Sequence, residues 1–440
     1  MNNLMSSAFG YIWQNEFNQR EKLLLVGFLL RVFVEYLIFL VILGDHHTIA
    51  KELFHTPDWY PATLYFELGF VSVLLLGMGL LLFLLSTGKK INPRGFLGRV
   101  AFILPIILVV AFYWLLNLPQ LTVPALIVFV VVMVLFIVAY ALEKLITINN
   151  LLAIIRTIPQ FHSLIRLYFI AIASSLITAS LLHKLTMMLF LPPPVHSHKF
   201  ADMLHPATYQ FMFIPLLILT IILLVVEQLL ARAKSEYQVN EIATLWLSVQ
   251  KNYQILLTRC GIGLLVGAFL VEWYFILPFF LQNVIGWDIH RISGVILFAS
   301  LISLATNVLM VRFLAGFSLK PLFSGLLGIF AGVIVFVSCN LYHKHLVLLC
   351  VLLMALFYNS LQAIINKLIH YEILNGGVSI GFLLVGSEIT IIVGGFMASA
   401  ASVALASQLA SLQQILVLPI VLSGFIVLSI VSYQKLSRKL

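Results

Sequence analysis

The sequence predicts an all-α integral membrane protein: twelve transmembrane helices in two six-helix bundles, with both termini in the cytoplasm. Three observations lead there: the composition, the spacing of the apolar runs and the placement of the basic residues. Of 440 residues, 62% are hydrophobic and 9% charged, and mean hydropathy is +1.11. A soluble chain carries roughly a quarter charged residues, so this one has too little charge to coat a water-facing surface. The same numbers exclude disorder, which needs low hydrophobicity and high charge. The net charge of +9 does not indicate nucleic acid, because the basic residues are scattered between apolar runs rather than clustered.

A membrane-crossing helix needs about 20 apolar residues. Runs of that length occur at 23–44, 62–86, 97–117, 121–142, 167–191, 208–230, 258–282, 292–314, 320–340, 344–366, 376–402 and 412–433. With the N-terminus inside and the spans alternating, 19 of the 25 Lys and Arg fall in inner segments, among them Lys89, Lys90, Arg94 and Arg99 after span two. Outer loops hold four, Lys51, Lys199, Arg291 and Lys344, and two, Arg31 and Lys184, fall within spans. Basic residues stay on the cytoplasmic side, and a wrong count of spans would scramble the bias partway along. The longest polar inner segment, 231–257, divides the chain into 1–230 and 258–440, one bundle on each side of a cytoplasmic linker. A cleaved signal peptide is not expected, since the first apolar run follows an acid-containing segment and is long enough to span. Cys260, Cys339 and Cys350 have neither metal-ligand spacing nor a disulfide framework.

The halves carry traces of a repeat. Glu35 lies 13 residues after Lys22, and Glu272 lies 13 after Arg259. Val34-Glu35-Tyr36 matches Val271-Glu272-Trp273, and Gly44-Asp45-His46 matches the ends of Gly286-Trp287-Asp288-Ile289-His290. A parallel six-helix repeat leaves such marks, with halves related by a pseudo-two-fold axis along the membrane normal and the substrate site between them.

With twelve spans split six and six, the chain resembles the major facilitator superfamily. The local likeness is greatest in Leu277-Pro278-Phe279-Phe280-Leu281-Gln282-Asn283-Val284-Ile285-Gly286 and Ile292-Ser293-Gly294-Val295, which are similar to the seventh helix and following loop of proton-driven multidrug exporters. Gly98-Arg99 matches the end of the family's basic loop motif, and the loop Arg312 to Lys320 sits in the equivalent place of the second half. The motif's aspartate is absent from both loops, and the glycine-proline signature of antiporters is absent from Ser174 to Phe190. The resemblance implies alternating access, a cavity lined by spans one, four, seven and ten, proton coupling, and efflux by antiport.

Four acids fall well inside spans: Glu35, Glu67, Glu272 and Glu388. Ionisable groups at membrane depth are costly and default to functional roles. Burial favours the protonated form, which lets a carboxylate load and release a proton. Glu272 and Glu388 have no basic neighbour within a helical turn, so they are the expected proton-coupling pair, with Glu35 the other contender. Glu227, at the inner end of span six, is expected to be reached by water. Arg31 and Glu35, four residues apart, share a helix face and are expected to pair; Arg31 is equally placed to hold an anionic substrate. Tyr36, Trp273, Tyr274 and Asn307 add aromatic and polar groups at membrane depth. Tyr358, Asn359 and Gln362 do the same, and together they suit a cavity for an amphipathic organic solute. Each also suits an interhelical hydrogen bond.

Other features have plainer readings. Lys184, beside His183 toward the outer end of span five, is expected to snorkel to the interface. Gly377-x-x-x-Gly381 and the glycines after it in span eleven permit close helix packing or a bend. Nine of the twelve histidines lie in or beside outer loops but are far apart in sequence, and no metal site is expected. No Gly-x-x-x-x-Gly-Lys-[Ser/Thr], His-Glu-x-x-His or Asp-rich pair occurs, which weighs against ATP hydrolysis and against an intramembrane lipid or glycan transferase. A receptor or assembly factor is the remaining alternative. The sequence thus leads to a monomeric secondary transporter of the inner membrane without a cofactor. Its partners are a small-molecule substrate, protons and membrane lipids, and not nucleic acid.

Overall fold

In a computed structural model of the chain, the residues described are 17–44, 68–69, 71–81, 96–116, 127, 130–142, 158–190, 206–230, 260–261, 263–264, 267, 287, 289–314, 348–349, 352–353, 389–397 and 399–400. Apart from Phe17, Asn18 and Trp287 they are all helical. Five long helices position the site: α1 (Gln19–Gly44), α2 (Phe96–Leu116), α3 (Ile158–Phe190), α4 (Pro206–Leu230) and α5 (Ile289–Leu314). They coincide with spans one, three, five, six and eight. The stretches Val71–Leu81 and Val130–Leu142 lie within spans two and four.

Each helix begins or persists for a local reason. Asn18 caps α1: its Oδ1 accepts from the Glu21 amide at 2.8 Å, and Glu21 Oε2 accepts from the Asn18 amide at 3.0 Å. This reciprocal pair satisfies two amides that have no intrahelical acceptor. α3 starts nine residues before the apolar run at 167, because Gln160 in its first turn donates to Glu21 Oε2 at 3.5 Å. That polar contact holds the first turn of α3 against the start of α1.

α1 and α3 pack through matched stripes. Leu25, Phe28 and Val32 on α1 meet Leu164, Leu167 and Ala171 on α3, with Phe17 at the same core. Both stripes have helical spacing i, i+3, i+7. Glu21 meets Gln160 near the start of both helices and Tyr36 meets Tyr168 further along, so α1 and α3 run parallel. α1 and α4 run antiparallel: Gly27 faces Leu230 and Arg31 faces Glu227. α3 also packs on α5, with Lys184 late in the one against Gly294 early in the other, again antiparallel. In the second half, Gly263 meets Thr390, and Gly267 meets Ile391 and Gly395, so these segments are parallel. Each direction is the one that alternation assigns to those spans; the count of twelve and the linker 231–257 lie outside the described residues.

The surface shows what surrounds these helices. Ile214, Ile218, Ile221, Ile222, Val225 and Leu229 form one exposed apolar stripe along α4, and Ile103, Ile107, Val110 and Trp114 another along α2. Arg31, Gln160, Ser175 and Glu227 are buried meanwhile. An apolar exterior of this extent does not persist in water, whereas hydrocarbon accepts it without cost. Among the described residues, Phe213–Leu230 meets the length and apolarity required of a crossing segment, and only 28% of it is buried.

Candidate functional site: a buried charge cluster on α1, α2 and α4

The polar centre of the described structure is Arg31. It is the largest fully buried side chain, 1% exposed. Its Nη1 lies 3.6 Å from Glu227 Oε2 on α4, and its Nη2 donates to the Ala101 carbonyl of α2 at 2.9 Å. Pro105 explains why that carbonyl is available. In an α-helix the carbonyl of residue 101 bonds the amide of residue 105, and proline has none. The residue that interrupts α2 therefore exposes an acceptor, and a guanidinium on a neighbouring helix fills it. Re-satisfaction of freed backbone groups by neighbouring helices is how membrane helices tolerate internal proline.

The expected access of water to Glu227 is corrected here. Its residue is 3% exposed, enclosed because α4 packs on α1, α2 and α3 together. Position near a helix end suggested hydration; packing by three neighbours removes it. Gly27 permits the approach: a Cβ there would stand 3.5 Å from Leu230 Cβ and 3.8 Å from the Glu227 carbonyl oxygen. Arg31 thus has an ion-pair partner on another helix, which the spacing of Arg31 and Glu35 along α1 did not indicate. The sequence signal for it was partial: an arginine within a span calls for an acid within reach of its long side chain, and Glu227 lies toward the inner end of span six.

Tyr36, half-buried one residue after Glu35, places its hydroxyl 3.2 Å from that of Tyr168, with the rings edge to face at 6.4 Å. Tyr168 in turn stacks on Phe28 at 6.2 Å. Tyr36 thereby joins α1 to α3. Glu35 is partly buried on the same helix. Asn307 lies on α5, its side chain outside the described ones. Glu67, Glu272, Glu388, Trp273, Tyr274, Tyr358, Asn359 and Gln362 lie outside the described residues, as do the outer-loop histidines at 46, 47, 55, 196, 198, 205, 343 and 345 and the Gly377-x-x-x-Gly381 motif. No group of three or more His, Cys, Asp or Glu suited to a metal ion occurs among the described residues.

A bundle with outward-facing apolar stripes, charges buried between helices and α3 packed against α5 defines a class: an α-helical protein built for a membrane. Comparison with known structures gives it a particular fold. The chain is similar to the crystal structure of a bacterial homologue of the iron transporter ferroportin in its outward-facing state with soaked iron. Identity is 16% and the TM-score 0.62, over 95% of this chain and 99% of that one. A second structure of such a homologue, also outward-facing, matches at 16% identity and TM-score 0.62 over 96% and 100%. The fold of this chain is therefore the one that these two structures share. The multidrug-exporter likeness of the segment 277–295 finds no counterpart in these matches. No family model matches the sequence, and no curated protein is significantly similar to it.

Proposed function

We propose that this chain is a secondary active transporter of the major facilitator type, moving a small solute across the inner membrane by alternating access. The observation that carries the reading is the likeness of the whole chain to a transporter fold, end to end on both sides of the comparison. The proposal includes twelve spans, cytoplasmic termini, and bundles 1–230 and 258–440 joined by the linker 231–257. It includes proton coupling at Glu272 and Glu388 with Glu35 as contender, and solute contacts from Arg31, Tyr36, Trp273 and Tyr274, with Asn307, Tyr358, Asn359 and Gln362 from the second half. Support for coupling comes from the depth of the acids and from the cost of keeping an ionised carboxylate in hydrocarbon.

An amphipathic organic solute is the first reading of the substrate, and export by antiport the direction the resemblance implies. A divalent transition-metal ion is the second, favoured by the structural matches, both of which are homologues of an iron transporter. The deciding experiment is uptake into vesicles holding the purified chain, under an imposed pH gradient, with a panel of organic solutes beside ferrous, cobalt and manganese ions. Accumulation of one class above protein-free vesicles identifies the substrate. Absence of gradient-dependent movement of either class overturns secondary transport.

A further inference from the structure

Among the described residues two carboxylates are buried, and they are held differently. Glu21, near the start of α1, accepts from the Asn18 amide at 3.0 Å and from Gln160 at 3.5 Å through Oε2. It joins the starts of α1 and α3. Glu227, near the end of α4, accepts no hydrogen bond through Oε2. Its contact is the Arg31 guanidinium, with 3.6 Å between Nη1 and Oε2. That is longer than the roughly 2.7–2.9 Å of a charge-assisted hydrogen bond. Arg31 meanwhile has an anchor that does not involve Glu227, since Nη2 donates to the Ala101 carbonyl that Pro105 leaves open. The arginine is therefore held in place whether or not Glu227 carries its charge.

Burial opposes an ionised carboxylate and a neighbouring guanidinium favours it, so the two forms of Glu227 compete. α1 also carries Glu35, partly buried one turn beyond Arg31 and close enough along the helix to draw on the same guanidinium. On α2, Arg99 is exposed two residues before Ala101. On α3, Lys184 lies toward the far end, and the side chains of His162 and Arg166 lie outside the described ones. Beside the ion pair, Gly27 brings α1 against α4: a Cβ there would stand 3.5 Å from Leu230 Cβ. Neutralising Glu227 removes the ionic attraction between these two helices, and ionising it restores that attraction. We propose that Glu227 is a proton-binding site with Arg31 as its positioning residue, and that its proton loosens the end of α4 from α1. α4 ends at Leu230, where the chain enters the polar segment 231–257, so a loosened end gives the proton its way to water. The site stands on this geometry; its part in moving a solute rests on the secondary-transport reading, where Glu227 joins the proposed coupling acids.

The test is infrared spectroscopy of the full chain in lipid vesicles as pH is lowered, reading the carbonyl stretch of protonated carboxyl groups. One such band should be lost in Glu227→Gln and should return, displaced, in Glu227→Asp, which keeps the carboxyl. Arg31→Gln should move its midpoint upward by about 1–3 pH units, because a cation beside a carboxylate favours ionisation, and Arg31→Lys should move it less. Spectra of the unsubstituted chain and Glu227→Gln that match at every pH overturn the proposal, as does a midpoint indifferent to Arg31. Gly27→Cys with Leu230→Cys, on a background without the native cysteines, sets two thiols within disulfide reach and reports the packing. Cross-linking at one pH should fall when Glu227→Gln is added, and equal yields overturn the loosening. Gradient-driven uptake in the same vesicles separates the two readings. A chain that shows the Glu227 band but moves no solute keeps the proton site and loses the transport reading, whereas undiminished transport in Glu227→Gln removes this proton from coupling.

Discussion

Arg31 and Glu227 are each other's condition for burial. A lone charge in this interior costs about 3–5 kcal/mol once its partner is removed, so Arg31→Ala and Glu227→Ala should each lower thermal stability strongly. The double variant should be less damaged than the sum, because neither member of this pair then remains without the other. A purely additive double variant in a thermal unfolding assay contradicts the pair seen at 3.6 Å. Adding Glu35→Ala to the same cycle measures how much of Arg31 the intrahelical neighbour shares. The proposed coupling acids call for a different measurement. Glu272→Gln and Glu388→Gln keep size and most hydrogen bonding but do not titrate. They should abolish gradient-driven accumulation while leaving solute exchange partly intact, and full accumulation by the double variant removes both from coupling.

Between helices, two features control packing. Pro105 frees the carbonyl that Arg31 uses. Pro105→Ala restores an amide, draws Ala101 back into the helical ladder and weakens the bond from Arg31. It should destabilise the protein with Arg31 present and become neutral or stabilising in an Arg31→Ala background, with a coupling of about 0.5–3 kcal/mol; equal effects in both backgrounds would sink this account. The second feature is the seam between residues 260–267 and 389–397. Cβ atoms on Gly267 and Gly394 would collide with the backbone of Ile391 and Leu264. The spacing Gly263-x-x-x-Gly267 is a close-packing signature. Gly267→Leu should push the helices apart and cost about 1–3 kcal/mol or more. Gly79→Ala, where nothing stands within 4 Å, should be neutral or gain up to about 1 kcal/mol from helix propensity. Thermal stability in one detergent compares the two directly.

Among the described residues, α2 and α4 turn apolar stripes outward while Arg31 and Glu227 are enclosed, as suits a hydrocarbon surrounding. A cysteine at Ile218 or Ile222, on the exposed stripe of α4, should react with a membrane-soluble reagent and resist a water-soluble maleimide until detergent is added. A cysteine in the proposed linker 231–257 should react with the water-soluble reagent from the cytoplasmic side only. Labelling of Ile222→Cys from water, or of the linker from outside, overturns the embedding or the orientation.

Membrane class and helical fold were legible in the sequence because hydrocarbon imposes a length and an apolarity on each crossing segment, and charge asymmetry imposes a direction. For α1, α2, α4 and α5 the apolar runs placed the helix ends to within a few residues; α3 ran nine residues longer, since a contact of Gln160 with Glu21 on another helix is invisible to a hydropathy window. The acids and the arginine within spans were legible as exceptions to the solvent rule. The meeting of Arg31 with Glu227 was not, because sequence spacing reports neighbours on the same helix only. Glu35 is near Arg31 in the chain, yet Glu227, almost two hundred residues away, is brought beside it by the packing of α4 on α1. The meeting of Lys184 with Gly294 has the same cause. The sequence by itself determined which described residues form apolar helices and which charged residues are out of place within them. Which of those residues meet was decided by tertiary structure alone, because a buried charge selects its partner by distance in space.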